Sequence, residues 1–111
     1  MSLNNKEMII LYTTLPNEEI AKSLALNLIE AKLAACVNVT RAVESFYKWN
    51  NIIESTQEVM LLIKTSSDLS DKTTKLIREM HPYEVPCILK LNASCEEESY
   101  MKWLKTCLLE G

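Results

Sequence analysis

Apolar residues fall in short runs whose spacing changes along the chain, and each change marks an element. Met8-Ile9-Ile10-Leu11-Tyr12, within residues 7–14, is a continuous apolar run of the length expected for a strand buried on both faces. Pro16-Asn17 ends it. Asn17 suits a helix N-cap and Glu18 and Glu19 its first turn, and Ala21, Leu24, Ala25 and Leu28 then recur at helical spacing to about Lys32. Over residues 34–49 the period falls to two, with Val37, Val39, Val43, Tyr47 and Trp49 on one side, which predicts one very long strand. Asn50-Asn51 supplies the turn, because asparagine tolerates the left-handed backbone that a two-residue hairpin requires. The return strand covers residues 52–65; its first part, 54–58, is polar on both faces and its second, Val59-Met60-Leu61-Leu62-Ile63, is apolar on both.

A second helix is predicted over residues 68–80, with Leu69, Thr73, Leu76, Ile77 and Met80 inward, and His81-Pro82 stops it because proline disfavours helix in the residue before it. Val85, Cys87, Leu89 and Leu91 alternate as a last strand. Ser94 and Glu97 have the Ser-x-x-Glu spacing of a capping box for a third helix, whose Tyr100, Trp103, Leu104, Cys107 and Leu108 form one apolar stripe. The order is βαββαβ plus a C-terminal helix. With right-handed crossovers it predicts an α+β, ferredoxin-like sandwich: a four-stranded antiparallel sheet, the first two helices on one face, and the first and third strands central. Residues 1–111 are expected to form one domain, its core within about 7–109. The hairpin is too long for it: about 16 residues at ~3.3 Å each give about 50 Å, against a domain diameter of about 34 Å. Part of it must bend back or project. A projecting end bearing Phe46, Tyr47, Trp49, Ile52 and Ile53 predicts packing on another copy of the chain.

Composition narrows the function classes. The chain has 111 residues, 48% hydrophobic and 24% charged, with no run near the ~18 apolar residues of a membrane helix, so a soluble protein without a membrane partner is expected. Residues 1–7 lack the basic and apolar segments of a signal peptide, which points to the cytoplasm. A net charge of -3 argues against nucleic acid as a partner. Cys36, Cys87, Cys95 and Cys107 contain no C-x-x-C pair and read as free thiols. The one glycine is Gly111, which excludes a glycine-rich phosphate loop, a dinucleotide-binding turn and a nucleophile elbow, and removes the phosphate loop that an acylphosphatase-like enzyme on this fold would need. The chain is therefore expected not to be an enzyme.

Few residues remain to carry chemistry. His81 is the single histidine, and no nucleophile is evidently placed for it. It reads either as a cation at a helix C-terminus or as a metal or anion contact, with Glu84 and a cysteine as the kind of co-ligands that suit copper or zinc. Tyr83 and Glu84, between Pro82 and Pro86, are held in fixed directions beside it. Lys64 closes an apolar run and reads as a snorkelling surface residue or an anion anchor in a cleft. Glu96-Glu97-Glu98 reads as a solvated first helical turn, and Cys36 as a core position.

Four segments together resemble the CutA divalent-cation tolerance family: Glu30-Ala31-Lys32-Leu33-Ala34-Ala35-Cys36-Val37-Asn38, Tyr47-Lys48-Trp49, Leu62-Ile63-Lys64-Thr65 and His81-Pro82-Tyr83-Glu84-Val85-Pro86. The resemblance extends over about residues 9–104. It implies a ferredoxin-like fold, a compact homotrimer with hairpins wrapped on neighbouring subunits, and a link to tolerance of copper and other divalent cations; animal members are associated with anchoring acetylcholinesterase. It also implies that copper or another divalent cation is the bound ion, not required for folding, and that His81 is the metal candidate. In bacterial members a cysteine can stand at the position of Thr13 and a histidine at that of Met80, and family glycines before and at the hairpin turn are replaced here by Ala42 and Asn51. Trp49, Lys64, Tyr83 and Glu84 match positions lining a cleft between subunits, a candidate ligand site.

Overall fold

The computed structural model describes residues 8–110, so Glu7, the expected head of the first strand, lies outside the described residues. The elements are β1 (Met8–Leu15), α1 (Glu18–Glu30), β2 (Cys36–Trp49), β3 (Ile52–Ser66), α2 (Ser70–Met80), β4 (Ile88–Ala93) and α3 (Glu98–Thr106). The sheet runs β2-β3-β1-β4 with every pair antiparallel, the α+β ferredoxin-like order with β1 and β3 central.

Local chemistry accounts for most boundaries. Asn17 Oδ1 accepts the Ile20 N–H at 2.9 Å and starts α1. The helix ends in a Schellman arrangement, with the Leu33 N–H donating to the Leu28 carbonyl and Lys32 at φ 60. Ala42, Asn50 and Asn51 also have positive φ, so with Lys32 four positions that favour glycine are filled by other residues.

Register assigns the faces of the sheet, because side chains alternate along a strand and paired residues share a side. Ile9, Leu11, Thr13 and Leu15 pair with Thr65, Ile63, Leu61 and Val59 and are buried. They form the core with Leu24, Leu28, Leu69 and Ile77 from the helical layer, where each fully buried aliphatic side chain contributes about 1.5–3 kcal/mol. The opposite face carries Ile10, Tyr12, Met60 and Leu62 with Leu89 and Leu91, and it is only partly covered. At one end α3 shields it: the Tyr100 ring lies 5.9 Å from Lys64 Nζ.

Five expectations are corrected. A 3₁₀ turn at Ser67–Leu69 precedes α2, which begins at Ser70. The last strand begins at Ile88, leaving Val85 79% exposed and Cys87 outside the ladder, because Pro86 has no N–H to donate to a sheet. The Ser94 capping box does not form; Glu97 is still extended and is itself the N-cap of α3, its carboxylate accepting from the Ser99 N–H and hydroxyl. The apolar stripe of α3 narrows to Leu104 and Leu108 as its buried members, with Trp103 exposed.

The fifth correction concerns β2. Thr40 pairs with Met60, but Val43 pairs with Glu58, so one extra residue bulges out between them. Val37 and Val39 therefore face the helices, while Val43, Tyr47 and Trp49 face the other way, and the uniform side expected for all five is broken. Past the bulge the hairpin runs clear of the body, giving extents of 51 × 23 × 22 Å and a radius of gyration of 15.1 Å. A compact chain of this length would have about 13 Å.

Candidate functional site

The bulge builds a cleft. Because Ala42 takes φ 55 and inserts a residue, Ser45, Tyr47 and Trp49 come onto the same face as their partners Thr56, Glu54 and Ile52, with Glu58 next along that face. Tyr83, from the 81–87 linker between α2 and β4, reaches across to Glu58. Between linker and ribbon lies a cleft of about 770 Å³, lined by Tyr47, Trp49, Glu54, Glu58, Tyr83 and Glu84 among others.

Glu58 is the fixed point of this wall. Its Oε1 accepts the Ser45 hydroxyl at 2.6 Å and its Oε2 the Tyr83 hydroxyl at 2.8 Å. Burial first, then the hydrogen bond to Glu58 and its negative charge, push the Tyr83 phenol up to about 12, so the ring presents a neutral donor at ordinary pH. The Tyr47 hydroxyl lies 3.2 Å from Thr56 Oγ1. Glu54 and Glu84 have no hydrogen-bond or ion-pair partner among the described residues.

His81 lies behind this wall, 8% exposed, as the C-cap of α2. Its Nδ1 accepts the Tyr83 N–H at 3.2 Å, and its Nε2 sits 2.8 Å from the Thr14 carbonyl oxygen, so Nε2 carries the hydrogen that it donates there. The Thr13 hydroxyl is a further 3.2 Å neighbour of Nε2. With the Tyr83 ring at 4.9 Å, the imidazole works as a two-sided clamp between β1 and the linker.

The structure thus brings together Trp49, Tyr83 and Glu84, and sets His81 beside them. Lys64 is elsewhere: it pairs with Ile10 and Cys36, 12 positions along β3 from the residue opposite Trp49, or about 40 Å. Glu54, Thr56 and Glu58 were not singled out by sequence; their alternation opposite Ser45, Tyr47 and Trp49 becomes a signal only when the bulge is known. As a metal site the arrangement is incomplete within one chain. Both imidazole nitrogens are engaged, and among the described residues no group of three His, Cys, Asp or Glu side chains is placed to hold an ion. The four cysteines are free thiols.

Known proteins with this sequence and shape agree in kind. The profile of the family described as CutA1 divalent ion tolerance protein matches residues 9–107. The divalent-cation tolerance protein CutA of Pyrococcus horikoshii is 40% identical over 97 residues, which are 87% of this chain and 94% of that protein. The chloroplastic protein CutA of Arabidopsis thaliana is 38% identical over 97 residues, but the chain spans only 53% of its length, and other plant and animal relatives are similarly longer. Among solved structures, the crystal structure of CutA1 from Oryza sativa superposes with a TM-score of 0.92 at 37% identity, covering 95% of this chain and 96% of that one.

Proposed function

Since the chain belongs to the CutA1 divalent ion tolerance family, we propose that it is a non-enzymatic, cytoplasmic homotrimer acting in divalent-cation tolerance, with copper or another divalent cation taken up at its subunit interfaces through His81. One observation carries the assembly. At its tip the ribbon carries apolar side chains on both faces: Tyr47, Trp49 and Ile52 look toward the cleft, while Phe46 and Ile53 lie on the other face, 69% and 73% exposed. Two strands alone are marginal in water, so a second chain is the natural cover for that side. No helix among the described residues is long and apolar enough to cross a membrane.

For the ion, ligation through His81 Nδ1 requires that the Tyr83 N–H let go, and further ligands have to come from a neighbouring subunit. The engaged ring favours a second reading, a trimeric scaffold or small-ligand signalling protein in which metal effects are indirect. Light scattering tests the assembly: about three times the 12.7 kDa chain mass is expected, falling for the double variant Phe46→Ser, Ile53→Ser. A monomeric wild type sinks the trimer. Copper titration of wild type and His81→Ala then separates the readings; weaker uptake by the variant supports His81 as ligand, and equal uptake leaves the second reading.

A further inference from the structure

We infer that Thr14, His81, Tyr83, Glu58 and Ser45 form one brace that fixes the direction in which the hairpin leaves the body, so that self-assembly depends on His81 and Glu58 as positioning residues as well as on the apolar tip. The inference rests on the proposed self-association of the hairpin and names what aims it.

The brace sits at the base of a lever. Pairing between β2 and β3 is interrupted between Thr40 and Val43, and a bulge disrupts the ladder and bends its strand, so the hairpin is weakest where it leaves the body. Glu58 pairs with Val43, the first pair beyond that break. From Glu58 to Ile52 at the turn is about 20 Å of strand, so a swing of about 10° at the base would carry the tip about 3–4 Å. A gap of only about 0.5–1 Å forfeits a quarter to a half of a dispersion contact. Phe46 and Ile53 can therefore pack closely on a neighbour only if the base is held.

The hydrogen bonds join the ribbon to the body without a break. The Ser45 hydroxyl donates to Glu58 Oε1 and ties the two strands together just past the bulge. The Tyr83 hydroxyl donates to Glu58 Oε2, and the Tyr83 N–H donates to His81 Nδ1, so one residue holds the ribbon by its side chain and the histidine by its backbone. Pro82, between the two, restricts the backbone through which they are linked. His81 Nε2–H donates to the Thr14 carbonyl, and β4 pairs with β1 only as far as Thr13, so the imidazole anchors on β1 just where that pairing stops. A carboxylate accepting two hydroxyls is the strongest link of the set. Every bond lies within one chain, so the brace is complete before a second copy docks.

The experiment combines nitrogen NMR of the isotope-labelled protein with light scattering, at pH 8 in metal-free buffer. His81 is the only histidine, so its ring nitrogens are read without overlap, and wild type should show a protonated Nε2 and an unprotonated Nδ1. Tyr83→Phe removes only the hydroxyl at the far end of the link, yet it should shift the Nδ1 resonance and mix the two tautomers. It should also raise about threefold to tenfold the chain concentration at which the mass falls by half, in a urea concentration that leaves the sheet circular dichroism intact. Glu58→Ala should do the same, and Glu58→Gln, which can still bridge Ser45 and Tyr83, should restore both readings. A His81 signal unchanged in Tyr83→Phe and Glu58→Ala overturns the brace, as does assembly at wild-type concentration in both variants. Mass tells the two readings apart: a trimer whose variants assemble unchanged refutes this inference alone, and a wild type that is monomeric throughout refutes the self-association on which it rests.

Discussion

On the inner side of the bulge, residues 36–40 of β2 face 60–64 of β3 with Val37, Val39, Leu61 and Ile63 turned into the helical layer, and Leu61 and Ile63 are fully buried. On the outer side the same two strands hold the same antiparallel ladder, yet Phe46, Trp49, Ile52 and Ile53 are all exposed. Hydrogen bonding does not distinguish the halves. What differs is whether a second layer lies against the pleat, and one inserted residue decides it by reversing which side chains look where. The inner half is strand because it is core. The outer half is strand because of its turn, its ladder and the anchor of Tyr83 on Glu58, and its apolar surface is left for other molecules.

The largest effect should separate the halves directly. Leu61→Ala removes buried methyl groups from the centre of the core and should lower unfolding stability by about 2–5 kcal/mol at any chain concentration. Ile53→Ala removes as apolar a side chain from the exposed end, so its effect should appear on dilution, as a lighter assembly with the sheet signal kept. Urea unfolding and light scattering across a concentration series measure both. An Ile53→Ala loss as large as that of Leu61→Ala, at concentrations where the mass is unchanged, would mean the outer half has a core of its own.

A smaller effect concerns the anchor between the halves. The Tyr83 phenol titrates near 12 in the fold against 10 in the unfolded chain, so the folded state prefers it protonated. That contribution is complete below pH 10 and disappears as pH rises through 12. Solvent screening at this half-buried position holds it to about 1 kcal/mol. Tyr83→Phe should therefore cost about 1 kcal/mol at pH 8, where the Glu58 hydrogen bond is lost, and the gap from wild type should close by pH 11–12. A gap in urea midpoint that stays constant over that range would detach the anchor from Tyr83 ionisation.

How far the sequence could be read follows the same division. The inner half, the element order and the two-asparagine turn were legible because burial writes a period into the residues, and Asn50 and Asn51 do take positive φ. The bulge was not, because its cost falls on the backbone at Ala42 and leaves no mark in side-chain chemistry. Ala42 and Asn51, where the family resemblance expects glycine, are both left-handed here, so departures from glycine were the one available clue. Missing the bulge hid the Glu54, Thr56 and Glu58 wall. His81 was found, but its role was not, since a sequence cannot say whether a ring nitrogen is free; here Tyr83 and Thr14 occupy both. Val85 misled through alternation, which Pro86 prevents from pairing.

The smallest predicted effect tests how strict the inner half is. Thr65 lies opposite Ile9 with no exposed surface, and its hydroxyl has no hydrogen-bond partner among the described residues. A buried unpaired hydroxyl costs about 1–3 kcal/mol, and valine keeps the branched shape that a strand accepts. Thr65→Val should thus raise stability by about 1 kcal/mol. Thr56, in the outer half, is the control, because its hydroxyl is within 3.2 Å of the Tyr47 hydroxyl in an exposed setting. Thr56→Val should change stability by no more than about 0.5 kcal/mol, and not upward. The pair is measured by urea unfolding at one chain concentration. If Thr65→Val is neutral or destabilising while Thr56→Val behaves as expected, the Thr65 hydroxyl has a partner, and the contrast between a strictly apolar inner half and a tolerant outer half fails at that residue.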